Sequence, residues 1–216
     1  MTKSILITSG PTREYLDPVR YISNASSGRM GCALAQAALD AGYAVTIVSG
    51  PVSVEYPQEA RVIPVETTEE MYRAAVEIFP NMTGAIGAAA PCDYRPTRRA
   101  SSKLSKDVLS RGGIFSLELE ETPDIVAALG AVKRSGQWLI PFALETENLR
   151  ERALVKLRAK RGDLILVNNQ SAIGAGVSRL EILAPDGEVL ASLSGSKEAM
   201  AAELFRLIEK RFPSRS

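Results

Sequence analysis

The sequence predicts an α/β fold with a mostly parallel sheet, and three observations carry the prediction. Strand-like apolar runs alternate with helical ones along most of the chain. The 216 residues are 45% hydrophobic and 24% charged, which supplies a sizeable core under a soluble surface. No apolar run is long enough to span a membrane, so these segments must pack on one another.

Ile5-Leu-Ile-Thr-Ser9 reads as the first strand and leads through a polar stretch into a helix at about 28–41. Leu34, Ala35, Ala38 and Leu39 share the apolar side of that helix, and Gly42 stands where a left-handed cap would end it. Residues 44–48 form a second buried strand and 62–65 a short third. A helix near 69–78 leads to a fourth strand at 84–88. Residues 94–113 are polar, basic and aperiodic, and so long a loop inside a compact domain predicts a flexible lid. Strands are expected at 115–119, 138–141 and 164–167, with a helix at about 149–161 before the last. Segments 180–183 and 188–192, joined through Pro185-Asp186-Gly187, predict a C-terminal β-hairpin arm over 179–193. Its edge is free to pair with another copy. A final helix aligns Met200, Leu204, Leu207 and Ile208 on one face. The sum is a Rossmann-like three-layer fold, and with no repeat or linker in view it is read as one domain over 1–216.

The formal net charge is +1, which argues against a general nucleic-acid or membrane binder. Cys32 and Cys92 give neither a disulfide framework nor metal-ligand spacing. A reducing, cytoplasmic setting follows as an expectation, as does the lack of a signal peptide, because a strand begins almost at once. The sequence has no histidine. That excludes Ser-His-Asp and Cys-His nucleophile machinery and His-ligated zinc. What remains suits positioning and charge neutralisation around phosphates better than proton shuttling near neutrality.

The stretch from Asp17 to Gly31 is the strongest local signal. It places Asn24, Ser26, Ser27 and Gly28 between the first strand and the first helix, where backbone N–H groups can hold a phosphate. Neither a Walker-type loop nor an intact G-x-G-x-x-G is present. A nicotinamide-dependent oxidoreductase would want an acidic residue at the end of the second strand, and Ser49-Gly50-Pro51 stands there. No tyrosine is followed four positions later by lysine, as short-chain reductases require.

The chain resembles the phosphopantothenoylcysteine synthetase family, the ligases of coenzyme A synthesis. The resemblance rests on Thr8-Ser-Gly-Pro-Thr-Arg13, Asp17-Pro-Val-Arg20, Ile22-Ser-Asn-Ala-Ser-Ser-Gly-Arg-Met-Gly31 and Val48-Ser-Gly-Pro51. It continues through Ala88-Ala-Ala-Pro-Cys-Asp-Tyr-Arg95, Lys103-Leu-Ser-Lys106, Thr122-Pro-Asp-Ile-Val126 and Phe142-Ala-Leu-Glu-Thr146. Lys156-Leu-Arg-Ala-Lys160, Asp163-Leu-Ile and Asn168 complete it, in family order over nearly the whole chain. No decarboxylase half accompanies these blocks, so a stand-alone form is expected.

The resemblance implies a two-step ligation of 4′-phosphopantothenate to L-cysteine. CTP, or ATP as in some relatives, and Mg2+ serve as co-substrate and cation, in a homodimeric protein. Asn24 would engage the acyl intermediate, with a turn or cap asparagine as the structural alternative. Arg20 would hold the substrate phosphate or carboxylate, against an ion pair with Asp17 or Glu14. Ser26, Ser27 and Gly28 would give donors to phosphate, or simply cap the helix. Asp93 would contact metal and nucleotide, Ala89 would lie in the same nucleotide-contacting block, and Lys103 would close over the nucleotide phosphates. Phe142 would lie beside base and ribose, or in the core. Arg152, Lys156 and Lys160 recur every four residues, and the resemblance turns Lys156 and Lys160 toward the triphosphate. The chain departs from the family at Pro91-Cys92, where proline removes a backbone donor, at Asn169, and in a shortened 170–177. Cys92 itself reads as a small buried residue rather than a nucleophile. An NAD(P)-dependent oxidoreductase and a non-catalytic nucleotide-binding paralogue stand as the rival readings.

Overall fold

A computed structural model describes residues 3–105, 115–145, 148–169 and 178–213. Twelve strands and five α-helices follow in order: β1 Ser4–Ser9, β2 Arg13–Tyr15, β3 Tyr21–Ser23, α1 Arg29–Asp40, β4 Ala44–Ser49 and β5 Arg61–Pro64. Then come α2 Thr68–Ile78, β6 Gly84–Gly87, β7 Tyr94–Pro96, β8 Leu119–Glu121, α3 Ile125–Val132 and β9 Trp138–Glu145. The described chain closes with α4 Leu149–Ala159, β10 Ile165–Asn169, β11 Ser178–Leu183, β12 Val189–Gly195 and α5 Lys197–Arg211.

Eight strands form one sheet in the order β12-β11-β10-β9-β6-β1-β4-β5. The run from β10 through β5 is parallel throughout, and β11 and β12 join antiparallel. Side chains alternate across the sheet, so Ile5 and Ile7 of β1 meet α1 and α5 while Leu6 meets α2 and α3. On that second face α4 covers β9 and β10 through Ala153 and Leu157. The α/β three-layer class predicted from the alternating runs is the class observed, with helices on both faces as a parallel sheet requires.

Three local differences bear on the site. The polar stretch after β1 contains a β2–β3 hairpin that periodicity did not reveal, its strands being three residues each. Residues 119–121 pair with β7 rather than extending the central sheet, because the exposed Leu119-Glu120-Glu121 offers no face to bury. The helix α3 was missed: its eight residues are nearly all apolar, leaving no 3.6-residue contrast to read, although Asp124 caps it by accepting from Ala127 N at 3.0 Å. The predicted hairpin is present and continues the sheet, Asn168 facing Leu180 across the β10–β11 register. Of the expected lid, 94–105 is described and 106–114 lies outside the described residues, as does the shortened 170–177. Gly42 has the left-handed φ of 81° expected after α1.

Candidate active site

Open parallel sheets bind ligands beyond the carboxyl ends of their strands, and several of the predicted residues meet there. A cleft of about 680 Å³ is lined by Asn24, Ser26, Ala89, Asp93, Phe142 and Lys156, residues spread over more than half the sequence. A smaller cavity of about 180 Å³ adjoins it, sharing Ala89, Asp93 and Phe142 and adding Lys160. A further cavity of about 530 Å³ over the hairpin, beside the Arg150–Glu181 ion pair, shares Arg179 and Leu180 with the cleft and holds none of the predicted residues.

The turn into α1 sets one wall. Gly28 occupies the N-cap with φ 73°, and no side chain caps the helix. An added Cβ at Gly28 would stand 2.8 Å from Val52 Cγ1, so both conformation and packing call for glycine. The capping alternative for Ser26 and Ser27 is therefore not the one adopted. Ser26 lines the cleft while the first-turn N–H groups carry no side-chain cap, an arrangement suited to an anion. Ser27 is exposed and Gly28 buried, and neither lines the cleft.

Asn24 donates from Nδ2 to the carbonyls of Ala90 (3.2 Å) and Pro91 (2.8 Å). Its amide thus ties the α1 turn to the loop after β6, and Pro91 enters this contact through its carbonyl, which proline retains. Just beyond, Cys92 is a structural knot. Its N–H donates to Thr12 Oγ1 at 2.8 Å, and its carbonyl accepts from Thr68 and Thr122 at 3.2 and 2.5 Å. Burial pushes its thiol up, in keeping with a structural rather than a nucleophilic cysteine. Asp93 follows at the exposed junction of both cavities.

Arg20 lies elsewhere. Its guanidinium pairs with the fully buried Asp17 at 3.0 Å and donates to the Leu104 carbonyl. Asp17 also accepts from Val19 N and Arg20 N at 2.8 Å each and from Leu104 N at 3.2 Å. Burial would raise this carboxyl, but those N–H groups and the guanidinium hold it below the usual aspartate range. The ion-pair alternative for Arg20 is thus the one present. The pair brackets the peptide of Leu104, next to Lys103, which is exposed and outside the cleft lining.

The basic helical stripe divides between cavities. Lys156 faces the main cleft, Lys160 pairs with Asp124 at 3.0 Å beside the smaller cavity, and Arg152 borders a shallow outer groove. Phe142 is half-buried, packing on the core and lining both cavities, so its two readings coexist. Sequence reasoning missed Met30, Arg179, Lys197 and Met200 as cleft residues, and it matched Asn168 without giving it a role. The parallel strand order that delivers them is not written in any local pattern.

Metal fit can be judged from the donors. Among the described residues no group of three Asp, Glu or Cys side chains could hold a cation by itself. Asp93 alone at the cleft fits Mg2+ brought in on phosphate oxygens, since Mg2+ is commonly held by one or two carboxylates plus substrate phosphates. The end of β4 carries Ser49, whose Oγ is tied to Tyr56 at 2.8 Å, rather than the acidic residue the oxidoreductase reading would want there. No helix among the described residues is long and apolar enough to cross a membrane.

The fold and cleft define an α/β protein with a ligand-sized cleft at the carboxyl edge of its sheet, beside a helix start that no side chain caps. The chain matches the model of the DNA/pantothenate metabolism flavoprotein C-terminal domain over residues 1–212 and belongs to that family. The coenzyme A biosynthesis bifunctional protein CoaBC of Vibrio vulnificus is 40% identical over 211 residues, covering 96% of this chain and 52% of the relative. The chain thus spans about half the length of the curated relatives it matches. The crystal structure of the C-terminal domain of a CoaBC is similar with a TM-score of 0.79 and 36% identity, covering 96% of this chain and 94% of that one. A Cab2 H337A variant in complex with phosphopantothenate-cysteine shares the fold, with a TM-score of 0.78 at 17% identity, covering 96% of this chain and 87% of that one.

Proposed function

We propose that this chain joins 4′-phosphopantothenate to L-cysteine through an acyl-nucleotidylate, with CTP as the activating nucleotide, in coenzyme A synthesis. The observation that carries the reading is the convergence of Asn24, Ser26, Ala89, Asp93, Phe142 and Lys156 on one cleft. Family membership supports it, and so does the phosphopantothenate-cysteine complex named for the Cab2 structure of the same fold.

In the first step a carboxylate oxygen of the acid attacks the α-phosphorus, and the bond to the bridging oxygen of pyrophosphate breaks. The first turn of α1, Ser26 and Lys156 neutralise charge on the phosphate oxygens. Mg2+ would be held by Asp93 and the phosphates, where it supplies further charge neutralisation. In the second step the neutral amine of cysteine attacks the acyl carbon, and the acyl–phosphate bond breaks to release the nucleoside monophosphate. The amine proton leaves to solvent or to the departing phosphate. Asn24 would then offer Nδ2–H to the acyl oxygen, exchanging one of its carbonyl partners at Ala90 or Pro91 for it. Phe142 supports base and ribose, and the Asp17–Arg20 pair holds the strand of chain that carries Lys103. The reading includes a homodimer in the cytoplasm, for which the free edge of β12 is available.

Pyrophosphate release tests the proposal. Purified protein with CTP, Mg2+, 4′-phosphopantothenate and L-cysteine is expected to release pyrophosphate and form the amide. Failure with both CTP and ATP would overturn the assignment.

A further inference from the structure

We infer that Thr12 and Thr68, two buried threonines outside the cleft lining, are positioning residues that set the Pro91 carbonyl against Asn24. The inference rests on the ligase reading only for the step in which that placement is felt.

Three separate segments meet at Cys92. Thr12 precedes β2, Thr68 opens α2, and Cys92 follows β6. Both threonines are fully buried, and neither lines the cleft or the smaller cavity beside it. Their hydroxyl oxygens lie 2.8 Å apart. Cys92 N–H donates to Thr12 Oγ1 at 2.8 Å, and Thr68 Oγ1 donates to the Cys92 carbonyl at 3.2 Å. A hydroxyl has a single proton to give, and this fixes the direction of every bond. Thr68 gives its proton to the carbonyl, so Thr12 gives its own to Thr68. The result is a closed ring that leaves Cys92 at its N–H, passes through both hydroxyls and returns at its carbonyl. Bonds arranged head to tail polarise one another, and a dry interior strengthens them.

The ring stands on fixed backbone. Glu14 Oε1, in β2, accepts from Thr68 N at 2.8 Å, and Arg13 N donates to the Glu66 carbonyl at 2.8 Å. These contacts join the segment after β1 to the start of α2. Thr67 caps that helix by accepting from Glu70 N, and the Glu70 side chain accepts from Thr67 N in return.

A planar peptide transmits the constraint to the site. Pro91 C=O and Cys92 N–H belong to one trans peptide unit, so they point in opposite directions. Thr12 holds the N–H edge at 2.8 Å, and Asn24 Nδ2 donates to the carbonyl edge at 2.8 Å. Any rotation of that plane moves the partner of Asn24. The following plane is held differently. Thr122 supplies a second donor to the Cys92 carbonyl at 2.5 Å, and its own N–H donates to the Asp93 carbonyl at 2.9 Å. Cutting the threonine ring therefore leaves Asp93 with Thr122, but takes from the Pro91–Cys92 plane its anchor opposite Asn24. The step that uses Asn24 should feel the cut most.

The test uses the full chain with valine or serine at each threonine. Thr68→Val keeps the shape and removes the hydroxyl, while Thr68→Ser restores it. Thr12→Val and Thr12→Ser repeat the comparison at the acceptor of Cys92 N–H. Cysteine labelled with nitrogen-15 gives two backbone amide signals, because the chain has two cysteines. The Cys92 amide proton is expected to move upfield in both valine variants and to return in the serine variants, with Cys32 as the internal reference. Label on the asparagine side-chain amides reads Asn24, whose signal is identified by its loss in Asn24→Asp and is expected to move in Thr68→Val. Cysteine transfer should slow by about tenfold in Thr68→Val, the rate equivalent of one lost hydrogen bond. Pyrophosphate formation with cysteine withheld should stay close to the parent rate, and KM for the acid should not change. Thermal unfolding checks that each variant is folded. An unmoved Cys92 signal in Thr68→Val would overturn the ring. Cysteine transfer that is unchanged, or slowed no more than pyrophosphate formation, would overturn the positioning role. A parent chain that forms no pyrophosphate would overturn the ligase reading instead, and the Asn24 signal then decides alone: movement in Thr68→Val supports the placement, and its absence refutes it.

Discussion

At Asn24 one amide spends both N–H groups on the Ala90 and Pro91 carbonyls, and that contact sets what substitution does there. Asn24→Asp would replace the donors with a carboxylate facing two carbonyl oxygens. The first half-reaction, which draws on the α1 turn and Lys156, should persist. Cysteine transfer should slow by about 10²-fold or more, the usual cost of losing one donor to a developing oxyanion. Pyrophosphate release and amide formation, measured separately, decide it: loss of both steps together, or of neither, contradicts the role. This residue was legible in the sequence because its neighbours form a specific block. Its partners were not, because Ala90 and Pro91 lie 66 and 67 positions away. Arg20 shows the opposite outcome, since both candidate partners were visible but only packing chose buried Asp17.

At the scale of elements, the turn between β2 and β3 acts as a bracket on the segment carrying Lys103. The Asp17 carboxylate receives three backbone N–H groups and a guanidinium, so its folded pKa lies below the ordinary 3.8. A depressed folded pKa means stabilisation that is present above the unfolded pKa and lost as pH falls through the folded value. Asp17→Asn should therefore lower the thermal midpoint most near neutral pH. The gap to the parent chain should narrow below about pH 4, where the parent also loses its charge. A gap that does not change with pH would mean the charge contributes nothing. Helix α1 and the β11–β12 hairpin were readable because each buries one face and exposes another, and β4 because it is a short apolar run buried on both faces. The elements β2, β3, β7, β8 and α3 were not. Four are three-residue strands, and α3 is apolar on almost every side.

Across the whole molecule, one mostly parallel sheet carries residues from both ends of the chain to a common edge. The class of fold followed from alternation alone, but the strand order did not, and that order brings Arg179 and Lys197 toward Asn24 and Asp93. Amide, carboxylate and cationic side chains thus meet in one cleft, as the proposed activation of a carboxylate with a triphosphate requires. The most direct test of that central claim withholds cysteine. With CTP, Mg2+ and 4′-phosphopantothenate, the quenched reaction analysed by mass spectrometry should contain the acid joined to the nucleoside monophosphate, in step with pyrophosphate, and cysteine should then consume it. Pyrophosphate formed without that species, or no reaction until a reduced nicotinamide is supplied, would contradict the account.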